Sequence, residues 1–182
     1  FEWRETFDDP QKMFQKLEDM HVMAGLHVRG IVDNGDSLHL LDEAREAGAL
    51  YPGAKKEGLI NFFDCKASDW WLENAVSKLA DIGCRFLKTD VGSVLTVSSE
   101  VQGEAALKAK SDHNLFPLAY AAAPYNYYMK KSGLRGFNHT REGYAGIQRY
   151  PFIWAGDWGS EWQWFAPMIV GGLNIGLSGV GY

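Results

Sequence analysis

The sequence predicts an α/β fold, a partial (β/α)8 TIM barrel, on three observations. Strand-like and helix-like runs alternate along the chain, the pattern of strands covered by crossover helices. Two apolar runs end in an acid: residues 84–90 close on Asp90 and residues 151–157 close on Asp157. An acid is a poor packing choice there, but barrel enzymes carry their catalytic groups at the carboxyl ends of strands. No G-x-G-x-x-G turn follows the first strand, although a doubly wound dinucleotide-binding sheet would carry one. Five or six strands are legible. A closed barrel of eight takes about 250 residues, more than the 182 present.

Each element has its own signal. Asp8-Asp9-Pro10 opens a helix, with an acid as N-cap and proline in the first turn, and Met13, Leu17 and Met20 recur at helical spacing. Residues 22–28 read as a buried strand. A long polar insertion near 30–58 follows, with residues 38–47 helical inside it. Within it, Asp33 and Asp36 sit among turn formers and read as solvated turn residues. Residues 59–64 read as a short strand. Ser68 caps a helix whose apolar face is Trp71, Leu72, Ala75, Val76 and Leu79, and Gly83 stops it. The Asp90 strand comes next, then a second long insertion near 92–112. Residues 114–131 are helical and aromatic-rich, ending at Gly133. Strands are expected at 134–139 and 151–157, a helix at 161–170, and a last strand at 173–178. The whole of 1–182 reads as a single incomplete catalytic domain. Phe1 is not an initiator Met and Tyr182 follows closely on a strand-like run, so a piece of a longer protein is expected, and the compartment stays undetermined.

Bulk composition narrows the partners. A net charge of −5 without a basic run argues against nucleic acid. No apolar stretch is long enough to span a bilayer. The chain is 46% hydrophobic, which suits a domain with a real core, and seven Trp residues offer flat faces for sugar rings or simply core filling. Cys65 and Cys84 make neither a disulfide framework nor a metal site, and Cys84 reads as a buried thiol. The histidines lack metal-ligand spacing such as H-E-x-x-H. No metal or organic cofactor is expected. His27 and Arg29 end a strand within reach of the site without being assigned to it. His113 reads as a structural hydrogen-bonding residue.

Longer strings carry more information. Lys88-Thr89-Asp90-Val91-Gly92 resembles the KTDxG motif of glycoside hydrolase family 31. The run from Arg141-Glu142-Gly143 to Arg149-Tyr150-Pro151 resembles its R-S-x-x-A-G-x-Q-R-Y-P segment, and Trp154-Ala155-Gly156-Asp157 its W-x-G-D motif. Phe7-Asp8-Asp9-Pro10, His113-Asn114-Leu115-Phe116-Pro117-Leu118 and the glycine-rich run from Gly171 to Gly179 also resemble family strings, in the family's order. The resemblance implies a retaining α-glycosidase barrel flanked by β-sandwich domains. It implies Asp90 as nucleophile and Asp157 as general acid/base, with Arg141, Trp154 and Lys88 as substrate-binding residues. Two departures stand out: Ser93 where many members carry Glu, and Glu142 where Ser is common.

The chemistry explains the residue types. Retention needs two displacements, so one acid must be ionised to attack and the other protonated to assist departure. Lys88 or Arg141 near Asp90 would lower its pKa, and Trp154 would desolvate Asp157 and raise that of the acid. The expected activity is an exo-acting hydrolase of terminal α-linked sugars in an oligosaccharide or glycoside, with α-glucoside as default. α-Xylosidase, α-galactosidase, N-acetyl-α-galactosaminidase and transglycosylase are alternatives within the family. Outside it, a non-catalytic carbohydrate-binding barrel is the rival. Taken singly, either acid is also a reasonable turn or cap residue.

Overall fold

The computed structural model describes residues 1–35, 37–150 and 152–182. Asp36 and Pro151, the latter at the head of the expected 151–157 strand, lie outside the described residues. At the centre are three parallel strands in the order β1 (Gly25–Arg29), β2 (Phe86–Asp90) and β3 (Asn138–Thr140). Helices connect them, as parallel pairing requires. Leu26, Leu87 and Asn138 share one register row, and His27, Lys88 and His139 the next. Among the described residues, the sheet continues past β3 as single contacts. Thr140 forms a parallel bridge with Ile153, and the Ile153 amide donates to Gly181 O at 2.9 Å. This succession of neighbours is the order in which a barrel grows.

Strand alternation sends successive side chains to opposite faces. Leu87, Thr89, Asn138 and Thr140 are at most 2% exposed, on the face covered by α6 (Phe116–Ser132). His27, Lys88, Asp90 and His139 take the other face. The polar row is thus dictated by the same periodicity that buries the apolar one.

The helices begin and end where local chemistry provides for their free backbone groups. Asp9 caps α1 (Pro10–Asp19), its carboxylate accepting from Lys12 N at 2.8 Å. Phe14 is the buried anchor of α1, Met13 packs half-buried against the core and Leu17 is half-buried, whereas Met20 is 68% exposed. A second helix, α2 (Leu40–Glu46), lies inside the first insertion. α3 (Cys65–Trp71) passes through a π-helical turn at Leu72–Val76 into α4 (Ser77–Asp81). Its cap is Asp64, which accepts from Lys66 N, rather than Ser68, which lies within the helix. Gly133 ends α6 in the left-handed conformation, where a side chain would be strained. Trp71, Tyr120, Phe62 and Phe116 form the aromatic centre of the core. Phe62 stacks on Tyr120 at 4.8 Å and meets Trp71 edge-on at 5.1 Å between ring centroids.

Four further expectations are corrected. Residues 152–157 form no strand, and Ile153 makes an isolated parallel bridge to Thr140. Residues 59–64 form no strand: Leu59 and Ile60 make isolated antiparallel bridges to Ile31 and Leu50, filling the core beneath the first insertion. The second insertion is not loop throughout, because α5 (Glu104–His113) occupies most of its second half. Residues 173–178 belong to α7 (Trp162–Leu177), which absorbs the expected last strand. The alternation of Leu173, Ile175 and Leu177 with Asn174, Gly176 and Ser178 is a strand signal, but the helix runs through it, and the neighbour of Ile153 is Gly181 instead. Among the described residues, no helix is long and apolar enough to cross a membrane.

Candidate active site

Asp90 ends β2 and is 8% exposed. Four donors converge on its carboxylate. Lys88 Nζ stands 2.6 Å from Oδ2, and His27 Nε2 stands 2.8 Å from the same oxygen. The Val91 amide donates to Oδ1 at 2.8 Å, and Arg141 Nη1 lies 3.3 Å from Oδ1. Each position follows from the sheet. Lys88 precedes Asp90 by two on one strand face. His27 is the register partner of Lys88. The Arg141 amide donates to Thr89 O at 3.2 Å, extending the β2–β3 pairing by one residue.

Electrostatics follow from these contacts. Burial pushes the Asp90 carboxyl up, but hydrogen bonds from Lys88, His27 and the Val91 amide, with the Lys88 charge, hold it well below the usual carboxylate range. Arg141 is held up in pKa: burial lowers it, and the hydrogen bond to Asp90 with the Asp157 charge more than offsets that. His139 is pushed down by burial and by the Lys88 charge, which favours a neutral ring.

Arg141 is the link between the two acids. Its Nη1 lies 3.1 Å from Asp157 Oδ2 while also touching Asp90. The two carboxylate oxygens share one nitrogen and are therefore closer together than twice 3.3 Å. Trp154 lies beneath the cations, with Lys88 Nζ 4.4 Å and Arg141 Cζ 5.8 Å from its ring. The expected shielding of Asp157 by Trp154 does not occur: the Asp157 side chain is 70% exposed, and the indole covers Lys88 and Arg141 instead.

All five residues singled out in the sequence thus meet in one place: Asp90, Asp157, Arg141, Trp154 and Lys88. His27 was left unassigned, yet it touches Asp90 directly. Its signal was its place near the end of a strand that had to pair somewhere, and only the register with β2 reveals where. Glu142, noticed in the sequence as a departure, accepts from the Gly92 amide at 2.7 Å. His113 does make a structural contact, Nδ1 to Leu95 O at 2.7 Å, and Cys84 is a buried thiol. Among the described residues, no group of three or more His, Cys, Asp or Glu is placed to hold a metal ion.

Comparison with known proteins adds an independent line. The sequence model of the glycosyl hydrolases family 31 TIM-barrel domain matches residues 1–182. Alpha-glucosidase 2 of Bacillus thermoamyloliquefaciens is 30% identical over 146 residues, covering 74% of this chain and 18% of that protein. Isomaltosyltransferase of Sporosarcina globispora is 27% identical over 124 residues, 68% of this chain and 11% of that protein. A solved structure of the cycloalternan-degrading enzyme from Trueperella pyogenes, in complex with cycloalternan, superimposes with a TM-score of 0.79 at 23% identity. It covers 94% of this chain and 26% of that one. The chain therefore spans less than a fifth of the length of these two sequence relatives.

Proposed function

The chain belongs to glycosyl hydrolase family 31, and we propose that it carries the catalytic pair of a retaining exo-α-glycosidase acting on terminal α-linked sugars. Residues 1–182 are one incomplete (β/α)8 catalytic unit, flanked by β-sandwich domains in the complete gene product. Asp90 is the nucleophile. Its carboxylate attacks the anomeric carbon as the bond to the leaving oxygen breaks, and Asp157 gives its proton to that oxygen. In the second step Asp157 takes a proton from water, water attacks the anomeric carbon, and the ester to Asp90 breaks. Arg141, Lys88 and Trp154 bind the sugar at this subsite.

The observation that carries this reading is the single Arg141 nitrogen shared by Asp90 and Asp157. It keeps one oxygen of each acid less than twice 3.3 Å apart, which is compatible with the retaining separation of about 5–5.5 Å and falls at the lower edge of the inverting range of about 6.5–9.5 Å. The depressed Asp90 pKa supports it further, because a nucleophile must be ionised.

α-Glucoside is the proposed substrate, in keeping with the alpha-glucosidase relative. Transglycosylation is the second reading, favoured by the isomaltosyltransferase relative. It uses the same two acids and differs only in whether a sugar hydroxyl or water completes the second step. A panel of aryl α-glucoside, α-xyloside, α-galactoside and N-acetyl-α-galactosaminide, assayed with the complete gene product, tests the assignment. Release from the α-glucoside with free glucose as product supports hydrolysis, and a glucosylated acceptor supports transfer. Preferred turnover of another sugar overturns the α-glucoside assignment.

A further inference from the structure

We propose that Glu142 is a positioning residue that locks the turn after Asp90 and so fixes the carboxylate that Asp90 presents. This rests on the assignment of Asp90 as nucleophile. Val91, the next residue, has φ of 64°. For a β-branched side chain the left-handed region is strained, and such strain persists only where the surroundings over-determine it. Val91 contributes one tie itself, its amide donating to Asp90 Oδ1. The others come from Glu142. Its Oε2 accepts from the Gly92 amide at 2.7 Å, and its Oε1 accepts from Ser93 Oγ at 3.3 Å.

Glu142 is itself well held. Its side chain is 17% exposed, and its carbonyl accepts from Thr140 Oγ1 at 3.2 Å. Its Oε1 also lies 4.0 Å from Arg141 Nε, so one carboxylate stands between the turn and the guanidinium that joins the two acids. Gly92 fits this packing, since a Cβ there would come within 3.1 Å of Glu142 Oε2. Ser93 and Glu142 are also two positions where the sequence departs from the motif pattern, and they touch.

Releasing the turn frees Val91 to leave the left-handed region, removes its amide from Asp90 Oδ1 and lets the nucleophile rotate. The loss falls on kcat, because Glu142 braces the attacking group and does not itself hold the sugar. The test uses the complete gene product with its best aryl α-glycoside, comparing wild type, Glu142→Ser, Glu142→Gln, the exchange variant Ser93→Glu/Glu142→Ser, and Asp90→Ala.

Glu142→Ser is expected to lose about 10²-fold in kcat with little change in KM, the size of effect that a small misplacement produces. Glu142→Gln, which keeps an acceptor for the Gly92 amide, loses much less. The exchange variant recovers most of the loss. A folded Glu142→Ser with wild-type kcat, or an exchange variant no better than Glu142→Ser, overturns the brace. Should Glu142→Ser fail to fold, the exchange variant alone decides: recovered folding and kcat support the brace, and an inactive but folded protein overturns it. Activity retained in Asp90→Ala sinks the nucleophile assignment itself, an outcome distinct from failure of the brace.

Discussion

Lys88 and Asp90 stand two residues apart on β2, and their side chains meet, Nζ to Oδ2, at 2.6 Å. The strand makes this contact possible, because residues at i and i+2 share a face. Asp90 is also buried, and burial alone would favour its neutral form. The Lys88, His27 and Val91 donors reverse that and hold its pKa well below the ordinary range.

The pH dependence follows from the sign of that shift. A depressed carboxyl pKa means that Asp90 stabilises the folded state fully above its unfolded pKa, and this contribution fades progressively as pH falls from there through the folded value. Removing Lys88 favours the neutral acid, so the pKa rises. In Lys88→Met the acid limb of kcat/KM against pH is expected to move to higher pH. The limb reports groups of the free enzyme. An unmoved limb would show that Lys88 does not set the state of Asp90.

Arg141 reaches both acids through one nitrogen, a task that depends on the planar fork of the guanidinium. Lysine offers charge without that geometry. Arg141→Lys is expected to lower kcat/KM by about 10²-fold, comparable to removing one preorganised donor elsewhere. Steady-state kinetics on the aryl α-glycoside measure it, and a change within a few-fold would contradict the bridging role.

Stability draws on a different part of the molecule. Trp71 is fully buried and meets Phe62 and Tyr120 edge-on. Trp71→Ala leaves a large void and is expected to cost about 3–5 kcal/mol, a large share of a typical domain's margin of about 5–15 kcal/mol. Urea unfolding followed by far-ultraviolet circular dichroism measures the shift in midpoint.

The sequence made the chemistry more legible than the architecture. Asp90 and Asp157 announced themselves because an acid closing an apolar run has no packing rationale. Asp9 before Pro10, and Gly133 after an aromatic helix, marked boundaries through backbone chemistry that operates locally. Residues 173–178 alternate Leu, Asn, Ile, Gly, Leu, Ser, a strand period that the continuing α7 helix overrides, and the apolar pairs of 59–64 fill the core through isolated bridges without forming a strand. α5 reads as loop on its polarity, and its N-cap Gly103 makes no side-chain cap bond to mark its start. His27 escaped assignment because its contact spans 63 residues of sequence and depends on strand register. The covering of Trp154 by Lys88 and Arg141, in place of Asp157, likewise depends on where residues 152–157 lie beside β3.

The central claim is that Asp90 forms a covalent bond with the sugar. Incubation of the complete gene product with an activated 2-deoxy-2-fluoro or 5-fluoro α-glycosyl fluoride, followed by proteolysis and mass spectrometry, tests it directly. Fluorine slows both steps, and the activated leaving group lets the glycosyl-enzyme accumulate. One added glycosyl unit is expected, on the peptide containing Lys88-Thr89-Asp90 and localised to Asp90. A label on Asp157 or any other side chain, or inversion of the anomeric centre with no label at all, would contradict it.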